Sequence, residues 1–200
     1  MGISKEDIVL ASIRILNRSG IGGLSMRAIA RELGIKAASL YNHISGKLEL
    51  YSNIIEHMCA DFAEPDAALS PKEYLAATAV AYRAMVLTVR DAVVIFEDSF
   101  PTTPRWIAIS KAVTGCLLQF GVRAENLLTV GSLYNNYILS FIRDETREQS
   151  WTPDERQLSE ENLGIGALLS SHVGKFDEQF LYGIRVLLEG IERVENGAAM

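Results

Sequence analysis

The sequence predicts an all-α protein: an N-terminal three-helix head with a helix-turn-helix, and a larger helical body behind it. Apolar residues recur at helical spacing along almost the whole chain. No alternating apolar–polar stretch flanks an Asn-Gly or Asp-Gly pair, so nothing signals a β-hairpin. Serine, glycine and proline punctuate the helical stretches where helices begin and end.

Ser4 is a ready N-cap for a first helix, with Asp7 one turn in and Ile8, Ala11, Ile15 and Leu16 on one face. The pattern runs out at Ser19-Gly20, and Gly22-Gly23 marks a sharp turn. Ser25 caps a second helix whose buried side is Ile29, Ala30 and Leu33. Gly34 then supplies a left-handed cap that a β-carbon would penalise. Ile35 anchors the turn, and a third helix over 36–43 turns Leu40 inward, with Ile44 just beyond. After Ser45-Gly46 a long fourth helix carries Leu50, Ile54, Met58 and Phe62. Pro65 and Pro71 bracket a linker, AEPDAALSP. Helices are expected over 71–89, 91–97, 103–119, 124–147 and 175–194, with 155–172 helical but interrupted at Gly164 and Gly166. The head is assigned residues 1–47 and the body 48–200, the boundary falling inside helix four or in the linker.

The chain has 200 residues and a net charge of −6, and 48% of it is apolar. That composition suits a globular protein, and no run approaches the ~18 uncharged apolar residues of a membrane span. The N-terminus MGISKEDIVL meets acidic residues before any apolar run, unlike a signal peptide. A cytoplasmic location is therefore expected. Cys59 and Cys116 are far apart and lack ligand partners, which reads as two buried thiols. Charge is unevenly divided. Residues 1–50 hold seven Lys/Arg against four Asp/Glu, a net +3, and the other 150 hold twelve against twenty-one, a net −9. The positive end coincides with the helix-turn-helix, where phosphates would need neutralising.

Within the third helix, Lys36, Ala37, Ser39, Asn42 and His43 share the exposed face. Ser39 and Tyr41 offer hydroxyls to phosphates, and Lys47 opens the next helix, where a phosphate also meets unpaired N–H groups. Arg27, in the first turn of helix two, reaches a base edge or the backbone, and its fork prefers guanine. Each residue has a plainer reading: His43 as a capping histidine, Tyr41 as a half-buried aromatic, Arg27 and Arg31 as a solvated face near Glu32. Their joint occurrence after a glycine turn favours DNA.

In this order, LSMRAIARELGI, turn, SLYNHISGKLELY, residues 24–51 resemble the TetR family of transcriptional regulators. The likeness is close over 5–60. A weaker likeness to the tetracycline-repressor branch continues through VRDAVVIFED, QFGVRAENLL and FDEQFLYGIRVLLEGIERV. The resemblance implies a homodimer that binds a palindromic double-stranded operator with helices one to three. A small-molecule inducer in the body would release it by moving helix four. It places DNA contacts at Ser25, Met26, Arg27, Lys36, Ala37, Ala38, Ser39, Tyr41, Asn42, His43 and Lys47. Lys36-Ala37-Ala38 stands where many relatives start this helix with a Ser or Thr cap, and the alanines offer only methyl contacts. Arg27 and Asn42 are thus expected to carry most base discrimination, with shape readout supplying the rest.

That branch also has a magnesium-binding histidine on helix six, where this chain has Phe96. Phenylalanine cannot ligate a metal, so the resemblance here implies a metal-free, partly apolar effector and no cofactor. Phe96, Phe100, Trp106, Tyr134 and Tyr137 are candidate lining, with Arg105, Asn135 and Asn136 as polar candidates and His57 near the domain interface. Each aromatic is equally at home in plain core. For the dimer, Phe180, Ile184, Leu187, Leu188 and Ile191 form a broad apolar face, with Gly183 seven residues before Gly190. A similarly apolar side on 127–142 would complete a four-helix bundle between subunits. The alternative is burial within one chain.

Two rival classes stand beside the regulator. An enzyme lacks support, since no GxSxG, HExxH, P-loop or GxGxxG follows a strand. A helical adaptor that binds protein, or an activator with the same DNA head, is the other alternative.

Overall fold

The computed structural model describes residues 3–155, 157 and 174–197. The expected interrupted helix over 155–172 lies outside the described residues, apart from 155 and 157. Among the described residues these helices are bounded, in chain order: α1 (Lys5–Ser19), α2 (Met26–Glu32), α3 (Ala37–Leu40), α4 (Lys47–Cys59), α5 (Pro71–Leu87), α6 (Ala92–Glu97), α7 (Pro104–Gln119), α8 (Leu127–Ser150) and α9 (Phe176–Glu195). Short 3₁₀ turns occupy Ile21–Gly23 and Ala124–Asn126. No strand occurs among the described residues.

Local chemistry sets the helix starts. Ser4 and Asp7 form a reciprocal capping box at α1, and Ser70 and Glu73 repeat it at α5, where Pro71 takes the first helical position. The Ser25 hydroxyl accepts the Ala28 N–H at 3.1 Å and starts α2. At the end of α2, Gly34 adopts φ +68. There the Ile35 N–H donates back to the Ala30 carbonyl, and the Gly34 N–H donates to Arg31. This is the Schellman closure, with Ile35 packed against the core.

The third helix is shorter than expected. It closes at Leu40, and Asn42 and His43 continue as turns bonded to Ser39 and Leu40. Lys36 occupies the N-cap with no side-chain bond to the orphan N–H groups. Leu40 and Ile44 are nevertheless fully buried, which fixes the segment's orientation. Helix α8 begins three residues later and ends three residues later than expected, because residues 124–126 form the 3₁₀ turn.

The apolar core runs without a break from α1 through α4 into the body. Helix α4 buries Leu50, Tyr51, Ile54, Ile55, Met58 and Cys59, and packs on α1 as well as on α6 and α7. Helices α5, α7, α8 and α9 pack around Leu75, Leu117, Ile138, Phe180 and Ile184. A charged pair lies inside that packing. Arg83 of α5 donates to both carboxylate oxygens of Glu145 of α8 at 2.7 Å, and to Asp177 of α9 at 2.7 Å. Its guanidinium also lies over the rings of Phe141 and Phe180. A single side chain thereby joins three helices.

Candidate nucleic-acid interface and interior cavity

On the head, the basic residues divide by partner. Arg14 and Arg18 of α1 both pair with Glu32, and Lys5 pairs with Glu49. Arg27, Arg31 and Lys36 are exposed, and none makes an ion pair among the described residues. Glu32 is thus engaged by α1 and does not compensate Arg27 or Arg31. Ser25, Ala38, Tyr41 and Asn42 are exposed beside them, while Met26, Ala37, Ser39 and His43 are half-buried. The head therefore keeps uncompensated cations where α2 and α3 meet solvent, and neutralises those on α1.

Glu49 braces the loop between α3 and α4. Its carboxylate accepts from Lys5 Nζ at 2.7 Å, the Ser45 N–H at 2.7 Å and the Ser45 hydroxyl at 2.8 Å. These donors, Lys5 first, hold its pKa down at about 2. Lys47, expected to meet a phosphate, is ion-paired here. Its ammonium lies 3.2 Å from Asp98 just past α6, and 4.9 Å from the Tyr51 ring centroid.

A cavity of about 410 Å³ lies among α5, α6, α7 and α8. Phe96, Trp106, Tyr134 and Asn135 line it, together with Asn136, Tyr82, Thr78 and Ser99. Phe96 stands edge-on between Tyr82 and Trp106, each ring centroid 5.5 Å from its own. Tyr134 donates its hydroxyl to the Leu75 carbonyl at 2.6 Å, so its polar end is engaged. No Asp, Glu, Lys, Arg or His lines the cavity among the described residues. Burial pushes the Cys59 thiol up to about 12, which keeps it protonated and inert.

The other four ligand candidates lie elsewhere. Phe100 is 81% exposed. Arg105 pairs with Glu56, through its backbone N–H at 3.0 Å and its guanidinium at 3.3 Å, tying α7 to α4. His57 lines a separate cavity of about 290 Å³ bordered by α1, α4 and α5. Tyr137 stacks on Phe180 and donates to the Phe180 carbonyl, so it clasps α8 to α9. Sequence reasoning missed Thr78, Tyr82 and Ser99. The only signal for Thr78 was a hydroxyl at a buried step of the Leu75, Thr78, Ala79, Tyr82 stripe.

The dimer candidates also need correction. Phe180, Ile184, Leu188 and Ile191 are buried within their own chain, against α5 and α8, and Leu187 is half-buried. The monomer has already covered the apolar face that periodicity brought out. What α9 leaves exposed is a second stripe of Tyr182, Val186 and Val194, with Gly190 between them. Gly183 serves the clasp, since a β-carbon there would meet Tyr137.

Helix α6 connects the two sites. At its start Asp91 has φ 59, in the left-handed region, and its carboxylate accepts the Ile21 N–H of the head at 2.8 Å. Beside it, the Arg90 N–H donates to Asn17 at the end of α1. Just past its last residue Asp98 holds Lys47, and Glu97 pairs with Arg143 of α8. Its middle presents Phe96 to the cavity.

A family model of bacterial regulatory proteins of the tetR family matches residues 4–54, and one for the tetracyclin repressor-like C-terminal domain matches 70–194. The chain belongs to the TetR family. It is a transcriptional regulator and not an enzyme. Tetracycline repressor protein class D of Escherichia coli is 24% identical over 95% of this chain and 89% of its own. Apo ActR from Streptomyces coelicolor shares the fold with a TM-score of 0.82 at 22% identity, each chain covered in full. BioQ of Mycobacterium smegmatis does so at 0.79 and 24%, covering 96% of this chain and 98% of its own. No helix of the described residues is long and apolar enough to cross a membrane.

Proposed function

We propose that this TetR-family regulator is a cytoplasmic homodimeric repressor that leaves its operator when a small molecule enters the α5–α8 cavity. The observation that carries the reading is the double attachment of α6. One side of this short helix borders the cavity through Phe96, while Asp91 and Asp98 fasten its two ends to the head. A ligand that displaces Phe96 must drag both fastenings, and with them the end of α1 and the start of α4. Binding energy at the cavity is thereby exchanged for a change in head position. Among family relatives, ActR has been solved with actinorhodin and BioQ with its double-stranded DNA operator.

The head is residues 1–47 and the body 48–200. DNA contacts fall on Ser25, Met26, Arg27, Lys36, Ala37, Ala38, Ser39, Tyr41, Asn42, His43 and Lys47. Arg31, exposed and uncompensated like Arg27 and Lys36, joins them at the phosphates. Dimerisation uses the outer faces of α8 and α9, where Leu133, Tyr182, Val186 and Val194 are exposed. Gly190 has nothing within 4 Å of where a β-carbon would stand, so it admits a close partner helix.

A mobility shift against the gene's own upstream region tests the reading. The expected result is a specific band that weakens steeply with salt and forms at dimer stoichiometry. A strictly monomeric mass in solution, or no specific band at low salt, sinks it.

A further inference from the structure

Cationic charge also gathers away from the head's exposed face. A groove of about 770 Å³ runs between the α5–α6 turn and the last turns of α8, and Asn17 of α1 borders it. Three arginines line it: Arg90 from the turn, and Arg143 and Arg147 from α8. Among its described lining Asp91 is the one carboxylate, and it already accepts the Ile21 N–H at 2.8 Å. The groove shares no lining residue with the α5–α8 cavity.

The Arg90 guanidinium makes no ion pair among the described residues. Arg143 pairs with Glu97 and Arg147 with Asp144, but neither carboxylate lines the groove. These two arginines are 56% and 61% exposed, and ion pairs so exposed hold weakly and exchange readily. The other polar groups along this stretch of α8 are engaged. Thr146 and Ser150 donate to α8 carbonyls, and Gln149 donates to Glu145. What the groove offers a ligand is therefore guanidinium, whose planar fork matches the paired oxygens of a carboxylate or phosphate. At this size, within the roughly 300–1,000 Å³ of small-molecule sites, three forks suit a ligand with two or more oxyanions.

Arg90 also stands at the joint between head and body. Its N–H donates to Asn17 at 2.9 Å, and a β-carbon at Gly20 would stand 3.4 Å from its Nε. The end of α1 is thus clamped to residue 90, while Arg143 and Arg147 belong to the frame of the body. We infer that this groove is a second effector site, for a small polyanion carrying phosphate or carboxylate groups. An anion spanning Arg90 and Arg147 ties the turn that holds the head to α8, and so acts on head position. Asn17 is the one head residue among the described lining, so a ligand from solution fits the groove better than an operator does.

Sodium pyrophosphate, citrate and acetate serve as probes, at matched ionic strength and without divalent metal. In titration calorimetry on the full chain, pyrophosphate and citrate should bind with sub-millimolar dissociation constants, and acetate should not bind measurably. Binding of only one of the two would assign the site to phosphates or to carboxylates. Arg90→Gln and Arg147→Gln should each weaken binding about tenfold, and Arg27→Gln on the head should leave it unchanged. With the site loaded, affinity for the gene's own upstream region should change by about threefold or more in the parent and not in Arg90→Gln. Binding of neither polyanion, or binding that either groove substitution leaves intact, overturns the site. Loss of binding in Arg27→Gln would place the anion on the head, with the same result. If Arg90→Gln weakened operator binding and flattened its salt dependence with no probe present, these arginines would be DNA phosphate contacts, and the small-molecule site would fall. Unchanged operator affinity on a loaded site would remove the effector role. Calorimetry needs no DNA, so the site stands or falls separately from the repressor reading.

Discussion

In the head, Arg27, Arg31 and Lys36 stand in solvent with no ion-pair partner among the described residues, whereas in the body Arg83 is buried with Glu145 and bonded to Asp177. The two regions use the same kind of charge for opposite ends. A surface cation without a partner adds nothing to stability, but it remains available to a phosphate or a guanine. A buried cation with two carboxylates costs desolvation and returns fixed geometry, here a joint between α5, α8 and α9. The cavity goes further than either and has no charge on its described wall. In the proposed reading, recognition by the head is electrostatic and salt-sensitive, while the cavity of the body offers a ligand no charge among its described lining.

The sharpest way to break this contrast is Arg83→Met. Removing one member of a buried network strands the others, and about 3–5 kcal/mol of stability should go. A urea midpoint within error of the parent would show that the joint holds nothing. Arg27→Ala should do the reverse. Its melting temperature should stay put, while operator affinity falls by about 10- to 100-fold, the range for one base-reading arginine. If operator titration kept full affinity and sequence preference, base discrimination lies elsewhere.

Lys47 blurs the division, because it belongs to the head yet is held by Asp98 of the body. Asp98→Asn should free it for phosphate. Operator affinity at low salt should then rise a few-fold, and the slope of log affinity against log salt should steepen by about one. An unchanged slope would mean that Lys47 does not reach DNA. The smallest effect concerns Glu49. Its pKa is depressed from the ordinary 4.5 to about 2, so its contribution is complete above pH 4.5 and fades as the pH falls towards 2. Protection of the Ser45 amide, the donor it anchors, relative to the intrinsic exchange rate at each pH, should fall over that window. In Glu49→Gln that protection should already be low at neutral pH; a Ser45 amide with unchanged protection in both tests would remove Glu49 as the brace.

Three helices were legible at their starts because those starts are chemical. Ser4 with Asp7, Ser70 with Glu73, and Ser25 each satisfy N–H groups that would otherwise be orphaned, and the residues that do so are local. Helix α3 was read too long because periodicity alone does not mark an end, and after Leu40 the chain continues in turns bonded to Ser39 and Leu40. The cavity was half legible. Phe96 and Trp106 fall on it, but Phe100 is turned to solvent and Tyr137 clasps a neighbouring helix, and an aromatic at helical spacing looks the same in all three situations. The dimer face misled for a related reason. The strongest apolar stripe on α9 is the one the chain covers itself, so an interface has to be sought on the weaker stripe that remains.

Gly183 gives that interface a scale. A β-carbon at this position would sit 1.9 Å from the Tyr137 hydroxyl oxygen, in a ring already pinned by Phe141 and Phe180. The missing methyl therefore sets how far apart α8 and α9 stand. In the proposed dimer those two helices form the platform from which both heads hang, and successive major grooves lie about 34–36 Å apart. One hydrogen atom in place of a methyl group thus acts as the zero mark on a ruler read at the other end of the molecule.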